Sequence, residues 1–295
     1  MKPLALYCKS YSTDLRRVVR LAQSIRRFNT EQLSFHVSVP HTELPLFREH
    51  LADLGVELLA DEDILRASPR IDPTEVARMP GSLSQQVVKS EFWRLGISEA
   101  YLCLDSDSIF TRPFKADEFL AADGTPYTVI SEAHDLLADA LSRGKTDVIE
   151  NFHREARTVQ ALFERPGKAY SFGPMPMVWH SAVWKSLESR YLSPRGLNLA
   201  DAIEHAPLES RWYGEALLKY QAIPLLPCEP FFKVYHYAWQ LDLDRRRGMN
   251  NERLACIYSG VIYQSSWERD MDWPREDGGP LSRLARRLRR KLGRV

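Results

Sequence analysis

The sequence has 295 residues, with 40 Lys and Arg against 39 Asp and Glu, so its formal net charge is +1. Hydrophobic residues make up 44%, and Gly and Pro number only 14 and 18, which excludes a disordered or collagen-like chain. The length suits one large α/β domain or two small ones, and the charge balance argues against a general nucleic-acid binder.

Residues 4–8 (LALYC) read as a short buried strand, followed by a polar turn over residues 9–14. Leu15, Val18, Val19, Ala22 and Ile25 then recur three and four apart, with Arg16, Arg17, Arg20, Arg26 and Arg27 between them. That spacing predicts an amphipathic helix. Residues 33–39 predict a second strand closed by Pro40. A β-α-β opening predicts a parallel sheet with a right-handed crossover. Residues 44–54 predict a helix with Gly55 past its end, and residues 56–59 a strand. Pro69, Pro73 and Pro80 predict an irregular connection over residues 61–80. Residues 84–95 return to helical spacing before Gly96, and residues 100–104 form an apolar strand. Strands alternating with helices indicate an open, doubly wound sheet.

The second half predicts helices over residues 136–163, 178–187 and 208–220, a rigid turn at 173–176, and strands at 234–238 and 261–263. One domain over residues 1–270 with an extension over 271–295 is the expected organisation. Cys8, Cys103, Cys228 and Cys256 form no CxxC pair, which predicts reduced thiols rather than a zinc site or disulfides. The first residues lack the pattern of a signal peptide, and no apolar run approaches a membrane span of about 20 residues. A cytoplasmic protein is the expectation.

Asp105-Ser106-Asp107 directly follows the apolar strand at 100–104. In an open α/β sheet, ligands bind at the carboxyl ends of the strands. Two carboxylates delivered to that edge repel each other unless a cation or protons compensate. A hard divalent ion, completed by substrate phosphates and water, meets that need. An Asx-capped turn is the plain structural alternative.

The stretch from Ala100 through Phe114 resembles the metal-binding segment of GT-A-fold glycosyltransferases. More narrowly, the chain resembles the bacterial DUF6492 family. Lys9-Ser10-Tyr11, Gln85 to Lys89, and Glu209 to Gly214 (ESRWYG) fit that family's pattern as well. The resemblance implies a GT-A-like α/β fold: an open, mostly parallel Rossmann-type sheet flanked by helices. It implies a nucleotide-sugar donor, a UDP-sugar first, lying across the sheet edge. Cys8, Lys9, Ser10 and Tyr11 would touch the base and ribose, with Tyr11 stacking on the base. Gln86 and Lys89 would face the donor. Asp105 and Asp107, with Ser106 between them, would hold Mn²⁺ or Mg²⁺ against the diphosphate, and His236 would complete the metal site. Glu209 would be the general base or would orient the acceptor, with Asp201 and Glu215 as competitors. The flanks of Glu209 depart from the family's usual Ser-Glu-Tyr. Trp179, His180, Trp212, Tyr213 and Trp239 form either an acceptor platform or core.

Residues 281–295 hold seven basic residues and no acidic ones, which leaves −6 on the rest of the chain. Leu281, Leu284, Leu288 and Leu292 form one stripe. A basic amphipathic helix of this kind suits an anionic membrane surface. The expected activity is a metal-dependent glycosyltransferase of the hexosyltransferase type. It would act on a glycan or lipid-linked acceptor in cell-surface polysaccharide or lipopolysaccharide assembly, peripheral to the cytoplasmic membrane, with no nucleic-acid partner. The alternatives are a nucleotidyltransferase or other DxD phosphotransfer enzyme, and a non-catalytic nucleotide-sugar-binding protein at the membrane.

Overall fold

A computed structural model describes residues 2–266, 268, 269, 271 and 273. The chain opens with β1 (Lys2–Lys9), α1 (Leu15–Phe28), β2 (Phe35–Val39), α2 (Leu44–Leu51) and β3 (Val56–Ala60). Next come α3 (Asp61–Arg66), α4 (Pro73–Arg78), α5 (Gly81–Glu91), β4 (Ser98–Leu104), β5 (Ser108–Phe110) and β6 (Tyr127–Val129). Helices α6 (His134–Ser142) and α7 (Thr146–Leu162) precede β7 (Met177–His180), α8 (Ser181–Leu187), α9 (Leu199–His205) and α10 (Glu209–Tyr220). The described part closes with β8 (Leu226–Cys228), β9 (Phe232–Tyr235), α11 (Ala238–Arg246), α12 (Asn251–Leu254) and β10 (Gly260–Tyr263).

The main sheet has the order β3-β2-β1-β4-β7. Strands β3, β2, β1 and β4 are parallel, and β7 runs antiparallel to β4. The sheet lies between two apolar layers, as the parity of its residues shows. Leu4, Leu6 and Cys8 of β1, with Ala100, Leu102 and Leu104 of β4, join the layer of α1 and α2. Ala5, Tyr7, Tyr101 and Cys103 join the layer of α5, α8, α9 and α10. Burial on both faces is why these strands read as continuous apolar runs rather than alternating ones. The chain winds from β1 to β2 on one side and returns with β4 on the other. The switch point of the sheet therefore falls between the ends of β1 and β4, where open α/β sheets bind ligands.

Three expectations need correction. The segment at 61–80 is not irregular: it holds two short helices, with Pro69 in the turn between them, Pro73 at the start of α4 and Pro80 just before α5. Pro73 is the first residue of α4, where its missing N–H costs nothing, and Asp72 caps the helix through Thr74 N–H. The predicted helix over 136–163 is two helices, broken at Gly144, which adopts φ +67°. The predicted helix over 178–187 begins only at Ser181. Met177, Val178 and Trp179 instead pair with β4 as the edge strand β7, and His180 Nδ1 caps α8 by accepting from Ala182 N–H. Residues 281–295, expected to form a basic helix, lie outside the described residues.

Candidate active site

The same parity that splits the core distributes the site. Lys9 and Asp105 continue the odd-numbered series of β1 and β4, and both meet the α3/α5 layer. Lys9 Nζ lies 2.7 Å from Asp61 Oδ2 at the start of α3, and also donates to Ser10 O at 2.6 Å. Lys89 Nζ of α5 lies 2.7 Å from Asp105 Oδ1 and 3.7 Å from Glu209 Oε1 at the start of α10. Lys89 is 6% exposed, so this cation is held inside by two carboxylates. Their charges raise its pKa well above the ordinary lysine value, against the lowering effect of burial. Burial also raises the pKa of Glu209, although Lys89 opposes it.

Ser106 turns the other way, toward the α1 layer. Its hydroxyl donates to Asp14 Oδ2 at 3.3 Å, and Asp14 Oδ1 accepts from Arg17 Nη1 at 2.9 Å and Arg269 Nη2 at 3.1 Å. Asp14 thus ties the segment after β1, the DSD turn and the segment after β10 together. It had no signal in the sequence beyond an ordinary helix-start aspartate.

Asp107 is 3% exposed. Its Oδ2 accepts from Ser265 N–H at 2.7 Å, while Oδ1 is buried and accepts no hydrogen bond. Burial first, then the neighbouring Asp105 charge, pushes its pKa up to about 6. A buried carboxylate oxygen without a donor is costly, and a cation is one way to satisfy it. Among the described residues, no three His, Cys, Asp or Glu side chains gather closely enough to hold a metal ion. His236 is therefore not brought into one cluster with Asp105 and Asp107. The donor set fits a hard ion bound by one or two carboxylates and completed by substrate phosphates, and not an all-protein cage.

The remaining expected positions divide clearly. Cys8 is fully buried in the core, with its thiol pKa pushed far up by burial. Ser10 is buried and its hydroxyl has no hydrogen-bond partner, whereas Tyr11 is 42% exposed and available for stacking. Gln86 Oε1 accepts from Leu208 N–H at 2.7 Å and its Nε2 donates to Ser82 O. It thereby braces Leu208, whose φ of +88° is strained for a branched side chain and aims Glu209 into the site. His236 is half-buried and its pKa is lowered by burial. Asp201 is spent on the capping box of α9, and Glu215 on a two-pronged ion pair with Arg165. Neither is left to act as a base. Trp179, Trp212 and Tyr213 are core; Trp239 is 37% exposed.

Helix α10 reaches this position because Gly214 lets it lie against Phe172. A Cβ at Gly214 would stand 2.2 Å from that ring. Among the described residues no helix is long and apolar enough to cross a membrane, and Cys8, Cys103, Cys228 and Cys256 are free thiols.

Residues 2–232 match the family described as DUF6492, a family of unknown function. No curated protein matches the sequence. Among solved structures, the apo-form glycosyltransferase GlyE of Streptococcus pneumoniae TIGR4 is similar at TM-score 0.47 and 16% identity, over 95% of this chain and 58% of its own. This chain thus spans less than two thirds of that structure. Galactosyltransferase LgtC, in complex with donor and acceptor sugar analogs, is similar at TM-score 0.46 and 11% identity, over 96% of this chain and 94% of its own. Mouse xyloside xylosyltransferase 1 in its apo form gives TM-score 0.45 and 10% identity, over 90% and 98%.

Proposed function

The chain belongs to the DUF6492 family, and from the geometry of its carboxylate site we propose that it is a glycosyltransferase. It would use a nucleoside-diphosphate sugar, a UDP-sugar first, and a divalent metal ion. The observation that carries this reading is Asp107. Its Oδ1 is buried and unpartnered, it lies two residues from Asp105, and both follow the strand at the switch point.

Asp105 and Asp107 would hold Mn²⁺ or Mg²⁺, with the remaining positions filled by the diphosphate and water rather than by His236. When bound, the ion would supply Lewis-acid stabilisation of charge on the leaving diphosphate. The protein's own residues do the rest. The backbone N–H of Ser265 fixes Asp107, and Asp14 fixes Ser106, so the two carboxylates keep their separation. Tyr11 offers an exposed ring to the nucleobase. Lys89 places a cation between the metal-side carboxylate and Glu209. Glu209, raised in pKa by burial, is suited to accept the proton of an acceptor hydroxyl or to orient it. Residues 281–295 would hold the enzyme at an anionic membrane surface, the setting of cell-surface glycan assembly.

Calorimetry with UDP in the presence and absence of Mn²⁺ tests the reading. Metal-dependent UDP binding that disappears in Asp107→Ala supports it. Absence of UDP binding in the presence of Mn²⁺ overturns it.

A further inference from the structure

A second cluster of side chains is linked to this site through the backbone and is not used by it. Tyr237 and Trp239 follow β9 and begin α11. The Arg143 guanidinium lies 4.2 Å from the Tyr237 ring centroid and 4.7 Å from that of Trp239. Lys145 Nζ lies 5.3 Å from the same Tyr237 centroid and 3.4 Å from its hydroxyl. Two cations from the α6–α7 connection therefore converge on one ring.

The arrangement is built rather than incidental. Gln240 Oε1 accepts from both His236 N–H and Tyr237 N–H, and Gln240 Nε2 donates to Asp139 Oδ2 of α6 at 3.1 Å. The start of α11 is thus tied to α6, which brings the two cations over the rings. The cluster is also joined to the carboxylate site. Gln264 N–H donates to Tyr235 O at 2.9 Å, and the next residue, Ser265, donates to Asp107.

Neither Arg143 nor Lys145 forms an ion pair with a carboxylate of the described residues. Both side chains are exposed, as is part of Trp239. Two positive charges held around one ring repel each other, and the ring faces offset only part of that. A planar guanidinium and an ammonium together match the several acceptor oxygens of a phosphate better than a single carboxylate. The exposed aromatic ring beside them suits the apolar face of a sugar or a lipid chain.

Resting on the glycosyltransferase reading, we propose that Arg143, Lys145, Tyr237 and Trp239 form the acceptor subsite. The acceptor it takes bears a phosphate: either a soluble sugar phosphate or a lipid-linked sugar diphosphate. Arg143 and Lys145 are its specificity-determining residues.

The test uses the full chain in calorimetric titrations. Glucose 1-phosphate, farnesyl diphosphate and glucose are each titrated in EDTA, and UDP is titrated separately with Mn²⁺. The wild type is expected to bind at least one phosphate probe and not glucose. Tighter glucose 1-phosphate points to a soluble acceptor, and tighter farnesyl diphosphate to a lipid-linked one. R143Q/K145Q, altered only at exposed positions, should lose at least tenfold in probe affinity and keep UDP affinity. Equal probe binding in the double variant, or no probe binding in the wild type, overturns the proposal. Failure of UDP to bind overturns the glycosyltransferase reading instead, and the probe titrations still decide the patch.

Discussion

Lys89 Nζ stands 2.7 Å from Asp105 Oδ1 and, on its far side, 3.7 Å from Glu209 Oε1. One buried ammonium therefore links a strand end to a helix start 104 positions further along the chain. Removing it would leave the carboxylates of Asp105 and Glu209 without their shared buried cation. Breaking a buried pair costs about 3–5 kcal/mol. Lys89→Met should lower the urea midpoint by a cost of that order and abolish transfer. The double variant with Asp105→Asn should lose less than the sum of the two single changes.

Asp107 sets a pH dependence of the metal-free protein. Its folded pKa is about 6, against 3.8 for the ordinary group. The fold therefore holds the proton that the unfolded chain has released. The stabilisation from that proton is full below pH 4 and is lost as pH rises through about 6. Melting temperatures recorded in EDTA from pH 4 to 8 should fall over this window. Asp107→Asn should flatten the fall. An unchanged profile in that variant would show that other buried acids dominate.

Asp14 should matter through the groups it holds. Its hydrogen bonds to Ser106, Arg17 and Arg269 fix the turn between the two site carboxylates. Groups that orient metal ligands typically change affinity by about 10–100-fold. Asp14→Ala should weaken Mn²⁺-dependent UDP binding within that range. Asp14→Asn, which keeps an acceptor for Ser106, should recover part of it. Equal affinities in all three proteins would reduce Asp14 to a fold contact.

Glu209→Gln should leave UDP affinity within a factor of two while transfer falls by about 10²–10⁴-fold, the range for loss of a general base. A parallel loss of UDP binding would place Glu209 on the donor instead.

Much of this was legible in the residues. The β-α-β opening and the helix carrying Lys89 have regular spacings, and the short apolar run before Asp105 reads as a strand from its length and flanks. The strands' apolar runs are continuous because the sheet is covered on both faces. What stayed hidden depends on distance in space. No spacing rule joins Lys89 to Glu209, or Asp14 to Ser106 and Arg269. The resemblance makes Gln86 a donor contact. Its amide also holds the strained Leu208, a demand set by a backbone angle that sequence does not display. Pro73 and Pro80 misled because Pro breaks a helix inside but is tolerated where one starts. Val178 and Trp179 were read as helix because so short an edge strand runs directly into α8.

The reversed direction of β7 has a practical outcome for anyone altering the protein. The parallel strands present their last residues to the crevice, but β7 presents its first: Met177 pairs with Cys103 near the end of β4, and His180 pairs with Ala100 toward its start. Changes in the segment leading into β7 are thus the ones positioned to tune substrate preference. Changes at His180 fall at the opposite end of β4 from the DSD turn, where they would alter stability more than selectivity.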